Sequence, residues 1–272
     1  MDNRAGSLAF SRPSLAVPVE RALVPEPFTA PVRSGRLGLE VADFGRGEVL
    51  DGDTAGLTRL YDDLVGDSRG KLSVHGPFLD LNPISPEPGL RSLTRSRYLQ
   101  AIEAAARLGA DHVVFHTQFH PVLRMPGYPR RWVEESAAFW SDLVPVLRRA
   151  RLTAVLENMW DPCPDFLVEL LDLVGSPHLR ACLDTGHVNL FSRVPLPGWV
   201  AALDRRLTYV HLSDNHGGWD EHLAVGDGVI DFVPFFDALA GRGLNPRFII
   251  EVETGEKVDR SLEALGWRDL VG

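Results

Sequence analysis

Histidines, aspartates and glutamates recur where short apolar runs end. His75 closes KLSVH, His116 closes DHVVFH, and Glu157 closes LTAVLE. Asp184 closes RACLD, with His187 three residues on; His211 lies in LTYVHLSD and Glu251 in PRFIIEVE. Asp220 and His222 follow in the glycine-rich stretch DNHGGWDEHLAVGDGV. Carboxylate oxygens and imidazole nitrogens suit Zn²⁺ and Mn²⁺, and cobalt or iron fits the same donors. The set Glu157, Asp184, His211 and Glu251 offers carboxylates from three residues and imidazole from one, with room for water or substrate oxygens. For His75, His116, His187, Asp220 and His222, metal contact competes with substrate binding or with orienting the ligands. Taken singly, each residue has an ordinary role. A strand-end histidine commonly satisfies a hydrogen bond, Glu157 could pair with a cation, and DTG at 184–186 reads as a turn. Their joint occurrence points to a metal site, because unpaired buried charge is costly.

The remaining histidines are weaker candidates. His112 starts a strand and belongs at the opposite end, His178 follows a proline in a loop, and His120 and His216 read as rim or surface residues. Phe78, Phe119, Trp160 and Trp219 are candidates to wall a pocket, whereas Trp140 lies in a helical stripe and reads as core.

These residues need a scaffold that brings strand ends together. Strand-like runs fall near 7–11 and at 36–42, 71–78, 111–117, 152–159, 180–187, 207–214 and 246–253. Helical patterns lie between them, clearest at 95–109 and 131–150, with shorter ones at 57–65, 164–174, 197–205, 231–241 and 258–270. In the first, Leu99, Ile102 and Ala106 read as one packed stripe and Gly109 as the stop. Strands joined by crossover helices predict a parallel sheet, and the length suits a single-domain, closed (β/α)₈ TIM barrel over residues 1–272. The stretch 12–35, with five prolines, reads as an irregular first crossover. Residues 80–93 and 214–229 read as long loops on the rim where such barrels keep their chemistry.

Composition narrows the partners. The chain has 28 basic and 37 acidic residues, a formal charge of −9, and only two lysines, Lys71 and Lys257. That balance weighs against DNA, which needs phosphate-facing cations. Two cysteines, Cys163 and Cys182, define no disulfide framework. The sequence has no run of 18 apolar residues and no signal-peptide core near its start. The expectation is a cytoplasmic protein without a membrane span, and the sequence carries no signal of oligomeric state.

The chain resembles the xylose isomerase-like TIM-barrel superfamily, especially its sugar phosphate isomerase/epimerase group. The resemblance rests on HGPFLDLNP at 75–83, FHTQF at 115–119, LEN at 156–158, LDTGH at 183–187, VHLSDN at 210–215, DEHLAVGDGVID at 220–231 and IIEVE at 249–253. It implies one divalent ion on Glu157, Asp184, His211 and Glu251. It implies Glu157 and Glu251 as the acid–base pair and His187 as a residue touching substrate oxygens. The substrate would be a small polyhydroxy compound or sugar phosphate. Hydride-shift isomerases carry lysine where this chain has Met159, which favours proton transfer. Ketose epimerases carry a substrate-binding arginine after the seventh strand, and no arginine occurs in SDNHGGWDEHLAVGDGVID.

A second resemblance is to DNA-repair endonucleases of the endonuclease IV type, which hold three zinc ions and cut at abasic sites. It implies His75, His116 and Glu157 at one ion. Glu157, Asp184, His211 and Glu251 would hold the second, and His187, Asp220 and His222 the third. Here HGPFLDLN replaces the repair family's HxxYLINL-like run, and the rim runs PISPEPG and NHGGWDEH are not basic. A third alternative is a noncatalytic barrel that binds a sugar.

Overall fold

The computed structural model describes residues 15–20, 23–24, 27–65 and 71–271. Eight strands form a closed barrel in sequence order: β1 (Leu15–Val19), β2 (Gly38–Val41), β3 (Leu72–His75), β4 (His112–His116), β5 (Thr153–Glu157), β6 (Leu179–Asp184), β7 (Leu207–Leu212) and β8 (Arg247–Ile250). All neighbours are parallel, and Ala16↔Ile249 closes the ring between β1 and β8. The helices are α1 (Thr29–Arg33), α2 (Gly47–Leu50), α3 (Thr54–Val65), α4 (Pro88–Leu108), α5 (Tyr128–Ala150), α6 (Asp165–Val174), α7 (Thr185–Phe191), α8 (Leu196–Leu203), α9 (Phe232–Gly241), α10 (Gly255–Ala264) and α11 (Arg268–Val271).

Alternation along each strand sorts side chains to two faces. Val17, Leu39, Val74, Phe115, Leu156, Leu183, Val210 and Phe248 belong to the large core under the helices. Ala16, Val114, Val155, Cys182, Tyr209 and Ile249 form a separate cluster inside the barrel. Two residues beyond these inward positions the strands reach His116, Glu157, Asp184, His211 and Glu251. Period two therefore aims all five at the C-terminal mouth.

Seven of the eight expected strands match in position, with shorter bounds. The expected first strand near 7–11 lies outside the described residues. The strand that closes the barrel, β1, lies inside the stretch read as an irregular crossover. Pro18 is tolerated there, although LAVPV carries a residue that removes one ladder donor. Residues 88–93 are helix rather than loop: Glu87 caps α4 by accepting from the Gly89 amide, and Pro88 occupies the first turn. The packed face of α4 is Tyr98, Ala101, Ile102, Ala105 and Leu108. Ala106 faces solvent, one position off the expected stripe. Gly109 does end the helix, at φ 69°.

Candidate metal centre

Glu157 is the hub. It ends β5, is 1% exposed, and shares its two oxygens between two clusters. Oε2 lies 3.5 Å from His75 Nε2 and 3.3 Å from His116 Nε2. Oε1 lies 3.4 Å from His211 Nδ1 and 3.3 Å from His187 Nδ1. His211 Nδ1 in turn lies 3.1 Å from Glu251 Oε2. Among the described residues three sets place one donor atom per residue within 4.8 Å of one another: His75, His116 and Glu157; Glu157, Asp184, His211 and Glu251; and Glu157, Cys182 and His211. A further grouping forms around Asp220, whose Oδ2 lies 3.3 Å from His187 Nε2 and 3.2 Å from His222 Nε2. All nine residues singled out from the sequence converge on the barrel mouth.

Local structure fixes how each ring is presented. His75 Nδ1 faces the Gly76 carbonyl at 2.9 Å, His187 Nδ1 the Asn158 carbonyl at 2.8 Å, and His222 Nδ1 the Glu251 carbonyl at 3.1 Å. An N–H donated to a carbonyl leaves Nε2 as the lone-pair atom, which is the arrangement of a metal-ligating histidine. His116 turns Nδ1 to the Met159 sulfur at 3.1 Å and Nε2 to Glu157. Phe78 stacks on the His116 ring, with centroids 4.1 Å apart. Asp184 caps α7 through the His187 amide. His187 thus sits on a helix that starts straight after β6, not on the extended run expected through 187. Asn158 clamps β5 to β6, accepting from the Asp184 amide at 2.9 Å and donating to its carbonyl at 3.2 Å.

The charges are strongly coupled. Burial pushes Glu157 and Glu251 up, but the neighbouring histidines overcome it and hold both below the usual carboxylate range. Burial pushes Asp184 up to about 7; His187 pulls against that, and Glu251 and Glu157 add to it. Burial pulls His187, His211 and His222 down, yet the surrounding carboxylates prevail and raise all three, His222 to about 10. Protons on these rings balance the carboxylates in the absence of another cation.

Three buried atoms in the four-residue set lack hydrogen-bond partners: Glu157 Oε2, His211 Nδ1 and Glu251 Oε2. Orphaned atoms in a carboxylate–imidazole shell fit divalent cations: His211 Nδ1 and Glu251 Oε2 face each other within the four-residue set, and Glu157 Oε2 faces the His75/His116 side. Cys182 lies beside Glu157 and His211 but is 0% exposed, and burial pushes its thiol well up. It remains a neutral thiol and a poor ligand.

Several residues acquire a place that the strand-end pattern did not assign. Glu40, in β2, lies 3.1 Å from His211 Nε2. Its signal was an acidic residue within the apolar strand run RLGLEVA. Asp161 is 2% exposed and ties Thr117 Oγ1, at 2.6 Å, to the Met159 amide, at 3.0 Å. Of the candidate wall residues, Phe119 packs with Tyr128, Trp132 and Phe166 in the core instead. Trp140 is core as expected, Trp160 pairs with the His120 ring, and Trp219 is 82% exposed. A cavity of about 400 Å³ opens beside Glu251 and His222, walled by Val19, Leu23, Ala42 and Val252. A separate cavity of about 450 Å³ between Ser192 and Pro234 contains none of the nine residues.

A family profile described as xylose isomerase-like TIM barrel matches residues 50–269. The chain belongs to that family. A TTHB071 protein from Thermus thermophilus, in a structure described as soaked with ZnCl₂, is 28% identical. It superposes with a TM-score of 0.74, covering 93% of this chain and 96% of that one. MJ1311 of Methanocaldococcus jannaschii is 29% identical over 202 residues, 72% of this chain and 69% of its own length. The L-ribulose 3-epimerase of Methylomonas sp. is 34% identical over 102 residues, 37% of this chain and 34% of its own.

Proposed function

We propose that this protein is a divalent-metal-dependent isomerase or epimerase of a small carbohydrate or sugar phosphate. One observation carries the reading. Glu157, at the end of β5, and Glu251, just past β8, bring carboxylate oxygens to within 3.4 and 3.1 Å of the same nitrogen, His211 Nδ1, with β6 and β7 between them in the barrel. Two carboxylates around one ligand position can remove a carbon-bound proton and return one. A divalent ion held by Glu157, Asp184, His211 and Glu251 would supply a Lewis acid that polarises a carbonyl and offsets charge developing on oxygen. Glu251, at the edge of the cavity, is the carboxylate with access to a ligand there. His187, with Nε2 beside Asp220, is the candidate to hold a substrate hydroxyl. The family membership and the L-ribulose 3-epimerase match support this chemistry, and the zinc-soaked relative supports Zn²⁺ alongside Mn²⁺ as the ion to test.

A second reading has its own observation. The His75/His116/Glu157 set and the His187/Asp220/His222 grouping supply donors for two further ions, as a multinuclear phosphodiesterase would need. The acidic balance of the chain opposes a DNA substrate.

One experiment separates them. Metal-analysed protein is incubated in D₂O with a panel of small ketoses and aldoses, read by NMR, and in parallel with a duplex containing an abasic site. Ion-dependent sugar conversion with deuterium at the reacting carbon is expected. Strand incision at the abasic site without sugar conversion would overturn the reading.

A further inference from the structure

Four of the five histidines in the candidate centre present Nε2 to a carboxylate of the ligand set, and three of those hold Nδ1 against a backbone carbonyl. His211 is reversed. Its Nδ1 faces Glu251 and Glu157, and its Nε2 points down into the barrel, where no carbonyl receives it. Glu40 does. Its Oε1 lies 3.1 Å from His211 Nε2, and the two side chains are 2% and 0% exposed.

Glu40 is itself held. The Tyr209 hydroxyl donates to its Oε2 at 2.7 Å, and the Ser73 hydroxyl lies 2.5 Å from the Tyr209 oxygen. Ser73 and Tyr209 are small and large inward residues that leave room for a carboxylate between them. A buried glutamate in a barrel interior otherwise filled by Ala16, Val114, Val155 and Ile249 is costly. Those same contacts meet both of its oxygens.

We infer that Glu40 is a positioning residue for the metal centre: it keeps the proton of His211 on Nε2 and so turns the Nδ1 lone pair toward Glu157 and Glu251. A carboxylate behind a ligating imidazole fixes its tautomer and raises its basicity. Glu40 touches neither the reacting atoms nor the ion. This inference rests on His211 being a metal ligand, as the proposed function holds.

Glu40→Gln tests it with little change of shape. The amide oxygen still reaches Nε2–H but is neutral and a weaker acceptor. Zn²⁺ and Mn²⁺ affinities are measured by calorimetry for parent and variant. ¹H–¹⁵N spectra of the Zn²⁺-loaded proteins, assigned with His211→Gln, report the Nε2 proton. The variant is expected to keep the parent's circular dichroism, to lose about ten- to hundred-fold in metal affinity, and to shift the His211 Nε2–H resonance upfield. A loss below about five-fold, or any loss with that resonance unmoved, overturns the role. If Glu40→Gln does not fold, Tyr209→Phe is read instead. It removes the hydroxyl that holds Glu40, and a loss of about three-fold or more with a shifted Nε2–H supports the role, whereas parent-like values overturn it. A parent that binds neither ion overturns the metal assignment itself, a result distinct from a parent that binds and a variant that matches it.

Discussion

Glu157 and Glu251 carry the same functional group but meet different surroundings. The Glu157 side chain is 1% exposed, with both oxygens directed at histidines, whereas the Glu251 side chain is 16% exposed and lines a cavity. Replacing Glu251 with Gln removes one anionic donor and one base while keeping the volume. Metal affinity is expected to fall by about ten-fold or more, and turnover of an accepted sugar by roughly 10²–10⁴-fold at saturating metal. Calorimetry and steady-state kinetics on one preparation check both, and unchanged turnover with metal bound would remove Glu251 from proton transfer. Asp161 makes a different prediction. Burial raises its carboxyl from an ordinary 3.8 to about 6, so the folded state binds this proton more tightly than the unfolded chain does. The stability this contributes is present below about pH 4 and is lost as pH rises through 6. Two pKa units correspond to about 3 kcal/mol. Asp161→Asn keeps an acceptor for Thr117 and should flatten that part of the stability–pH curve between pH 4 and 6. Urea unfolding of chelator-treated protein across that range would show it.

Among the elements, the loop between β7 and α9 depends on one carboxylate. Asp214 is fully buried, and its oxygens accept from the amides of Asn215, Gly226, Gly228 and Ile230 at 2.8–3.1 Å. Those bonds fold 214–230 back on itself, pair Asp214 with Leu223, and place Asp220 and His222 at the mouth. Gly228 is required here, because a Cβ would meet Asp214 Oδ1 at 2.3 Å and the Asn215 oxygen at 2.5 Å. Asp214→Asn would turn an NH₂ group onto two amide donors. A loss of about 2–3 kcal/mol is expected from hydrogen bonds to a charged acceptor. Faster hydrogen exchange at Gly226 and Gly228 should accompany it. Exchange rates equal to the parent's would show that the loop is held by other contacts. The sequence pointed to a glycine-rich rim loop with two candidate ligands. Its anchor was not legible, because Asp214 reads as one more polar residue at a strand end until the four amides are seen to converge on it.

At the scale of the whole molecule, the mouth collects carboxylates and rings whose charges are balanced by protons or by an ion. His222 is raised to about 10, above its ordinary 6.5, so its contribution to folding is full below pH 6.5 and is lost as pH rises through 10. The metal-free protein should therefore lose thermal stability from pH 7 to 10. Added Zn²⁺ should raise the Tm by mass action, by the equivalent of about 2.7 kcal/mol at one hundred times the dissociation constant, and flatten the pH dependence where it displaces protons. Differential scanning calorimetry with and without chelator tests this, and identical curves would argue against a bound ion. Among the described residues no helix is long and apolar enough to cross a membrane.

Much of this arrangement is written locally. Apolar runs ending in His, Asp or Glu specify strands whose last inward residue is polar, and parallel closure must gather those ends at one mouth. That reasoning reaches six of the nine residues and seven strands without any contact being known; His187, Asp220 and His222 come from the stretches that follow the sixth and seventh runs. It misplaces the start of the barrel, since a strand of LAVPV with a proline, in a proline-rich stretch, looks locally like an irregular connection; only pairing with both β2 and β8 makes it β1. It also extends β6 through His187, because RACLDTGH does not reveal that Asp184 turns to cap a helix. The division into groups sharing Glu157, the nitrogen each histidine offers, and the partnership of Glu40 with Tyr209 across 169 residues of chain were decided by tertiary structure. These are through-space distances set by barrel closure and strand register, and a pattern along one strand holds no record of which residue faces it across the barrel.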